Sequence, residues 1–224
     1  MSSTESWWRG EIDWNTPAGQ LLHRFLSLIP RDRQLKLTLY GSAPLQLTVD
    51  PSLLSADVDL FSDNDEDLEP LIQACGLGRE QSGLHFETGF ELSFRTSPRW
   101  RTRAKNFKLQ EVGLTIPHPL DILIGKLDRL APKDVEAFRR VIAVTGHPQP
   151  EELKTELQNA VDLFRPGFQA ESPSSFFANT LRLWREVFQL EIDVVREIIE
   201  PALARRQKGY GESPPDYKDV LREL

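Results

Sequence analysis

A single cysteine, Cys75, among 224 residues leaves nothing for an intramolecular disulfide to join and excludes a cysteine-built zinc ribbon. Its setting in LIQACGL is apolar, which suits a buried structural thiol better than an ionised nucleophile. Histidine is also scarce. His23, His85, His118 and His147 stand too far apart for an HExxH pair, so a histidine-built metal site has no local support. Apolar runs are only a few residues long, far short of the ~20 that cross a bilayer. The opening MSSTESWWRGEIDW lacks the basic-then-apolar order of a secretory leader. These absences lead to the expectation of a soluble, cytoplasmic protein with no membrane partner. An excess of base is missing as well: 27 Lys and Arg face 34 Asp and Glu, for a formal charge of −7. A general polyanion binder of the histone type is therefore excluded.

What is present is ordinary globular material, 39% hydrophobic and 27% charged, without repeat or low-complexity tract. Thr16 followed by Pro17 predicts a helix over 17–28, with Leu21, Leu22, Phe25 and Leu28 on one face and Pro30 as its stop. LKLTLY alternates as a strand over 35–40 and ends at Gly41-Ser42, with a short helix expected over 43–47. SADVDLF alternates again over 55–61, with Val58 and Leu60 on one face and Asp57 and Asp59 on the other. A helix over 66–75 capped by Gly76 follows, then a hairpin-like LHFET and FELSF around Gly89, then a stretch of loop and strand to Ile116. From Pro119 the spacing is helical: 119–130, 134–144, 151–164, and a long helix over 175–200 that Pro201 kinks or ends. The expected fold class is α+β, a mixed sheet with helices over residues 1–116 followed by an all-helical half over 117–224.

Two carboxylates at i and i+2 of a strand project to one side, where they repel unless a cation lies between them. Oxygen ligands of this kind suit Mg²⁺, which takes one or two carboxylates and leaves its other positions to water and phosphate. A glycine directly after a strand lets backbone approach a phosphate, and Ser42 adds a hydroxyl donor. Asp57, Asp59, Gly41 and Ser42 thus form the parts of a phosphoryl or nucleotidyl transfer site, against the alternative that the two aspartates line the wet face of an exposed strand. Asp63, Asp65 and Asp67 mimic an EF-hand, but Leu68 and Ala74 occupy the glycine and glutamate positions, so calcium binding of that type is rejected.

The ordered segments LYGSA, SADVDLF and HPLDILIGKLDRLAPKDVEAF resemble the minimal nucleotidyltransferases of the DNA polymerase β-like superfamily, closest to DUF6036-type proteins and AbiEii-type toxins. The resemblance runs over about residues 35–144. It implies a nucleotidyltransferase-like sheet in which Gly41 and Ser42 hold the nucleotide phosphates while Asp57 and Asp59 ligate Mg²⁺. It also implies a third carboxylate, for which Glu91 is the candidate and Glu87 the weaker choice. Lys126 resembles the phosphate-contacting lysine, and Asp134 the later aspartate that orients basic side chains or the base. The plain alternatives are a snorkelling surface lysine and a helix cap. The chain departs from the toxins at Leu53, where they carry arginine, and at Ala137, where they carry aspartate.

Arg95, Arg99, Arg101, Arg103, Lys105 and Lys108 follow one another without an acidic residue, with Trp100 and Phe107 interleaved. Cations beside aromatics contact phosphate and stack on bases. Arg101 and Arg103 are therefore nucleotide-binding candidates, the alternative being a basic loop paired with acid elsewhere. The expected activity is Mg²⁺-dependent transfer of an NMP from an NTP to a hydroxyl of RNA (tRNA included), protein or a small molecule, in a toxin–antitoxin setting if the resemblance extends so far. The rival is a non-catalytic descendant of the fold that binds a partner protein, as an antitoxin does. Seven of the 34 carboxylates fall in Asp57–Glu69, which holds no base, and the remaining 27 match the 27 basic residues. The net charge is thus local to the proposed metal strand and turn.

Overall fold

Residues 11–53, 55, 57–62, 68–74, 76–77, 83–87, 94–109, 111–165 and 174–210 are described by the computed structural model. Thr16 opens helix α1 (Pro17–Leu28): its hydroxyl accepts from the Gly19 N–H at 3.0 Å, and Pro17 occupies the first turn. The helix buries Ala18, Leu22 and Phe25. Strand β1 (Leu35–Tyr40) sends Leu35, Leu37 and Leu39 into the same core. The chain turns at Gly41 into α2 (Ala43–Thr48), a helix buried along its whole length. Inside α2 the amide oxygen of Gln46, fully buried, accepts the Ala18 N–H at 3.0 Å. That bond satisfies an otherwise orphaned N–H at the start of α1, which is what a buried polar side chain must do to be tolerated.

Strand β2 (Val58–Ser62), α3 (Glu69–Ala74) and β3 (Leu84–Glu87) follow, then a single helical turn α4 (Trp100–Arg103) and the hairpin of β4 (Lys105–Leu109) and β5 (Val112–Ile116). The five strands form one mixed sheet in the order β3-β2-β1-β5-β4. β1 pairs antiparallel with β2 and parallel with β5, β2 pairs parallel with β3, and β4 antiparallel with β5. The C-terminal ends of β1 and β5 therefore lie beside the N-terminal ends of β2, β3 and β4. Alternation sends Val58, Leu60, Leu84, Leu114 and Ile116 into the core with α1, and Asp59 to the opposite face.

The sequence-predicted helix 17–28 and strand 35–40 agree with the structure at both ends. The β2 strand begins three residues later than expected, at Val58, so Asp57 precedes it. The partner strand expected over 90–94 falls mostly on residues outside those described, as do the acidic turn 63–67 and Glu91.

The chain folds as two compact units. One comprises Met1–Arg95, Arg99–Ile122 and Arg140–His147 and holds the sheet; the other comprises Thr96–Pro98, Leu123–Arg139 and Pro148–Leu224. Two of the boundaries between them fall within α5 (Pro119–Lys126) and α6 (Pro132–Thr145). From Pro119 onward every described element is helical. Beyond α6 come α7 (Pro150–Asn159), a 3-10 turn (Val161–Phe164), α8 (Ser175–Leu183), two π-helical turns (Trp184–Phe188 and Val195–Ile199) and α9 (Glu200–Tyr210).

The single helix expected over 175–200 is broken. Gln189 adopts φ +57°, and residues 189–193 leave the helical path. Helix resumes where the Asp193 carboxylate accepts the Arg196 N–H at 3.1 Å and Glu197 accepts the Asp193 N–H at 3.0 Å, a reciprocal cap. Pro201 follows the second π-helical turn inside a helical run that continues to Tyr210, so it does not end the helix.

Candidate active site at one end of the sheet

Gly41 closes β1 with φ +72°, the left-handed region that glycine enters without steric cost. Asp59 stands opposite Tyr40 in the β1–β2 register, one residue before that glycine. A Cβ built on Gly41 would lie 2.1 Å from Asp59 Oδ2 and 3.1 Å from its Cγ. The glycine is thus required twice, by its backbone angle and by the carboxylate that fills the space of a side chain. Ser42 follows as the N-terminal flank of α2, its hydroxyl making no capping bond.

Asp57 and Asp59 share one side of the chain entering β2. The Asp57 side chain is 52% exposed and that of Asp59 25%. Parallel pairing of β2 with β3 sets His85 beside Asp59. Its imidazole faces both carboxylates, Nδ1 lying 3.6 Å from Asp59 Oδ1 and Nε2 3.8 Å from Asp57 Oδ1. The two aspartates therefore share a neighbour that carries positive charge once protonated, which moderates their mutual repulsion. Glu87 lies two residues along the same strand, opposite Phe61.

Donor chemistry gives the test for Mg²⁺. Two carboxylates beside a glycine turn are what this ion needs from protein when water and phosphate fill its other positions. Asp57 and Asp59 meet that description. The third donor, Glu91, lies outside the described residues, and among those described no group of three or more His, Cys, Asp or Glu side chains is gathered to hold a metal.

The basic segment reaches the same end of the sheet, because β4 begins there. Its two nucleotide-binding candidates differ. Arg101 is exposed and lies over the Trp100 ring, its guanidinium carbon 4.3 Å from the centroid, a cation–π contact that leaves the charge facing solvent. Arg103 is drawn inward: its Nε donates to Asp121 Oδ2 at 3.0 Å, and Nη2 reaches Oδ1 of the same fully buried carboxylate. Trp100 packs edge-on against Phe94 at 5.6 Å, and Phe94 lies 6.3 Å from Tyr40, so the turn carrying Arg101 is anchored to the end of β1.

Lys126 and Asp134 belong to the helical unit. Lys126 Nζ donates to Asp134 Oδ1 at 3.2 Å, Arg129 Nε to Oδ2 at 3.1 Å, and the Ala131 N–H to Oδ2 at 3.0 Å. Asp134 is fully buried and sits three residues after Ala131, closing the start of α6 in the manner of a capping box. Burial pushes the Lys126 ammonium below its usual pKa against the opposing pull of Asp134. In this unit the aspartate organises two cations and a helix terminus at once.

No family model, no curated protein and no solved structure matches this chain. The site therefore stands on its own residues. Three of them were not singled out from sequence: His85, Arg129 and Asp121. Alternation in LHFE puts His85 on the face away from Leu84 and Phe86, but its approach to Asp57 and Asp59 follows from strand register, which one strand does not encode.

Proposed function

We propose that the chain is a Mg²⁺-dependent nucleotidyltransferase that moves an NMP from an NTP to an acceptor hydroxyl on RNA, protein or a small molecule. The observation that carries this reading is the Asp59 carboxylate set against a left-handed Gly41 at the mouth of β1, with Asp57 on the same side. Asp57 and Asp59, with Glu91, would hold the ion, which when bound would neutralise charge on the nucleotide phosphates. Gly41 and Ser42 supply backbone and hydroxyl groups at the phosphate side. Arg101 supplies an exposed cation at the same end of the sheet, whereas Arg103 is committed to Asp121. Positioning and fixed charge account for the rate in this chemistry, so a site of few residues suffices.

The test incubates the full chain with each α-labelled NTP, Mg²⁺ and total RNA or lysate. Label transfer that disappears in Asp57→Asn and Asp59→Asn supports the reading; absence of Mg²⁺-dependent NTP binding overturns it. Two observations favour a non-catalytic binding module instead: His85 lies against both aspartates, and Arg103 is held by a buried partner. On that reading His85→Ala restores neither NTP binding nor transfer.

A further inference from the structure

Between α1 and the end of β4 runs a groove of about 640 Å³, within the range of small-molecule sites. Its apolar floor comes from Trp14, Leu26 and Leu109, and its rim carries His23, Arg24 and Lys108. Among the described residues none that lines it is acidic, in a chain whose net charge is −7. Arg24 and Lys108 are both exposed and have no ion-pair partner among the described residues. Trp14 and His23 meet edge to face, their centroids 5.7 Å apart, and both line the groove along with the two cations. Lys108 and Leu109 lie on the edge strand β4, three strands along the sheet from β2, which carries Asp59.

We propose that this groove is a second ligand site, separate from the Gly41–Asp59 site, and that it takes a nucleoside monophosphate. Arg24 and Lys108 receive the phosphate dianion, one as a planar fork and the other as a point charge. The rings of Trp14 and His23, continuous with Leu26 and Leu109, offer the surface on which a base stacks. Ser27 and Gln20 place a hydroxyl and an amide at the rim for the polar edge of the base. An aliphatic acid would leave the rings unused, and a neutral aromatic would leave the two cations unused.

The test is calorimetric titration of the full chain with AMP, GMP, CMP and UMP in EDTA, which silences any site that depends on a divalent ion. At least one nucleotide is expected to bind at least about tenfold more tightly than its own nucleoside or inorganic phosphate. Arg24→Ala with Lys108→Ala should weaken that binding by at least about tenfold while circular dichroism stays unchanged, and Asp59→Asn should leave it within about twofold. Three outcomes overturn the proposal: no binding by any of the four, inorganic phosphate binding as tightly as the nucleotide, or loss of binding in Asp59→Asn with retention in the double variant. A single-stranded oligonucleotide that binds where every mononucleotide fails also overturns it, in favour of a strand-binding groove. Because label transfer reads Asp59 and this titration reads Arg24 and Lys108, either conclusion can fail without the other.

Discussion

Arg103 and Asp121 form a two-pronged ion pair in which the carboxylate is fully buried and the guanidinium side chain is only 13% exposed. Removing one partner from such a pair strands the other in a low-dielectric environment, at a cost of about 3–5 kcal/mol. Arg103→Ala is expected to lower unfolding stability by that amount in urea melts. Arg101→Ala, which removes only an exposed cation–π contact, is expected to change stability by less than about 1 kcal/mol. Equal losses for the two variants would refute the distinction between a structural and a ligand-facing arginine.

Gly41→Ala imposes a side chain at φ +72°, worth about 1–2 kcal/mol of strain, and displaces the Asp59 carboxylate from its present position. Stability measured by thermal melting should fall by more than that amount, because the clash with Asp59 adds to the strain. Pairing the change with Asp59→Gly should recover only the steric part, because the backbone angle remains. Full recovery would show that contact alone makes the glycine necessary.

Asp134 offers a comparison of buried charges in the helical unit. Asp134→Ala leaves Lys126 buried without its counter-charge and the Ala131 N–H without its acceptor, so a loss of about 3–5 kcal/mol is expected. Lys126→Met removes a buried ammonium while Arg129 still pairs with Asp134, and less than about 1.5 kcal/mol should be lost. If nucleotidyl transfer is found and Lys126→Met abolishes it without unfolding the chain, the lysine serves the reaction as well as the fold.

Arg206 beside Asp162 holds its carboxyl below the ordinary value of 3.8, with partial burial opposing and Arg165 adding to the effect. A carboxylate whose folded pKa is depressed stabilises the fold above its unfolded pKa and loses that contribution as pH falls through the folded value. The side chain is 50% exposed, so solvent screening limits the pair to below about 1 kcal/mol. Asp162→Asn should therefore melt slightly lower than the parent chain at neutral pH. The gap should close as pH drops below 3.8. A gap that persists in strong acid would rule out charge as its cause.

Local signals made the sheet's first half legible. Thr16-Pro17 marks a helix start, the leucines of LKLTLY alternate with period two, and Gly41 punctuates the strand, so each segment declared its own form. The common side of Asp57 and Asp59 followed from the same alternation. Pairing did not: that β3 joins β2 in parallel, bringing His85 to those aspartates, depends on register between segments 26 residues apart in sequence. Arg103 gave no sign of Asp121, 18 residues on, because ion-pair geometry is a property of the folded end of the sheet. In 175–200 the apolar positions keep helical spacing straight across Gln189, so periodicity alone joined two helices. Asp193, a capping residue followed by Glu197, was the signal of a restart.

The strand order places the carboxylates of Asp57 and Asp59 to one side of β1 and the cations of Lys105 and Lys108 on the other, beyond β5. The sheet is thereby electrically lopsided along the direction of its hydrogen bonds, with a negative flank and a positive one. An approaching polyanion feels a torque before it feels a contact, since one flank repels and the other draws it in. Under the proposed nucleotide chemistry, an anionic substrate would arrive already turned, and added salt, by collapsing the reach of both flanks to a few ångströms, would slow its encounter.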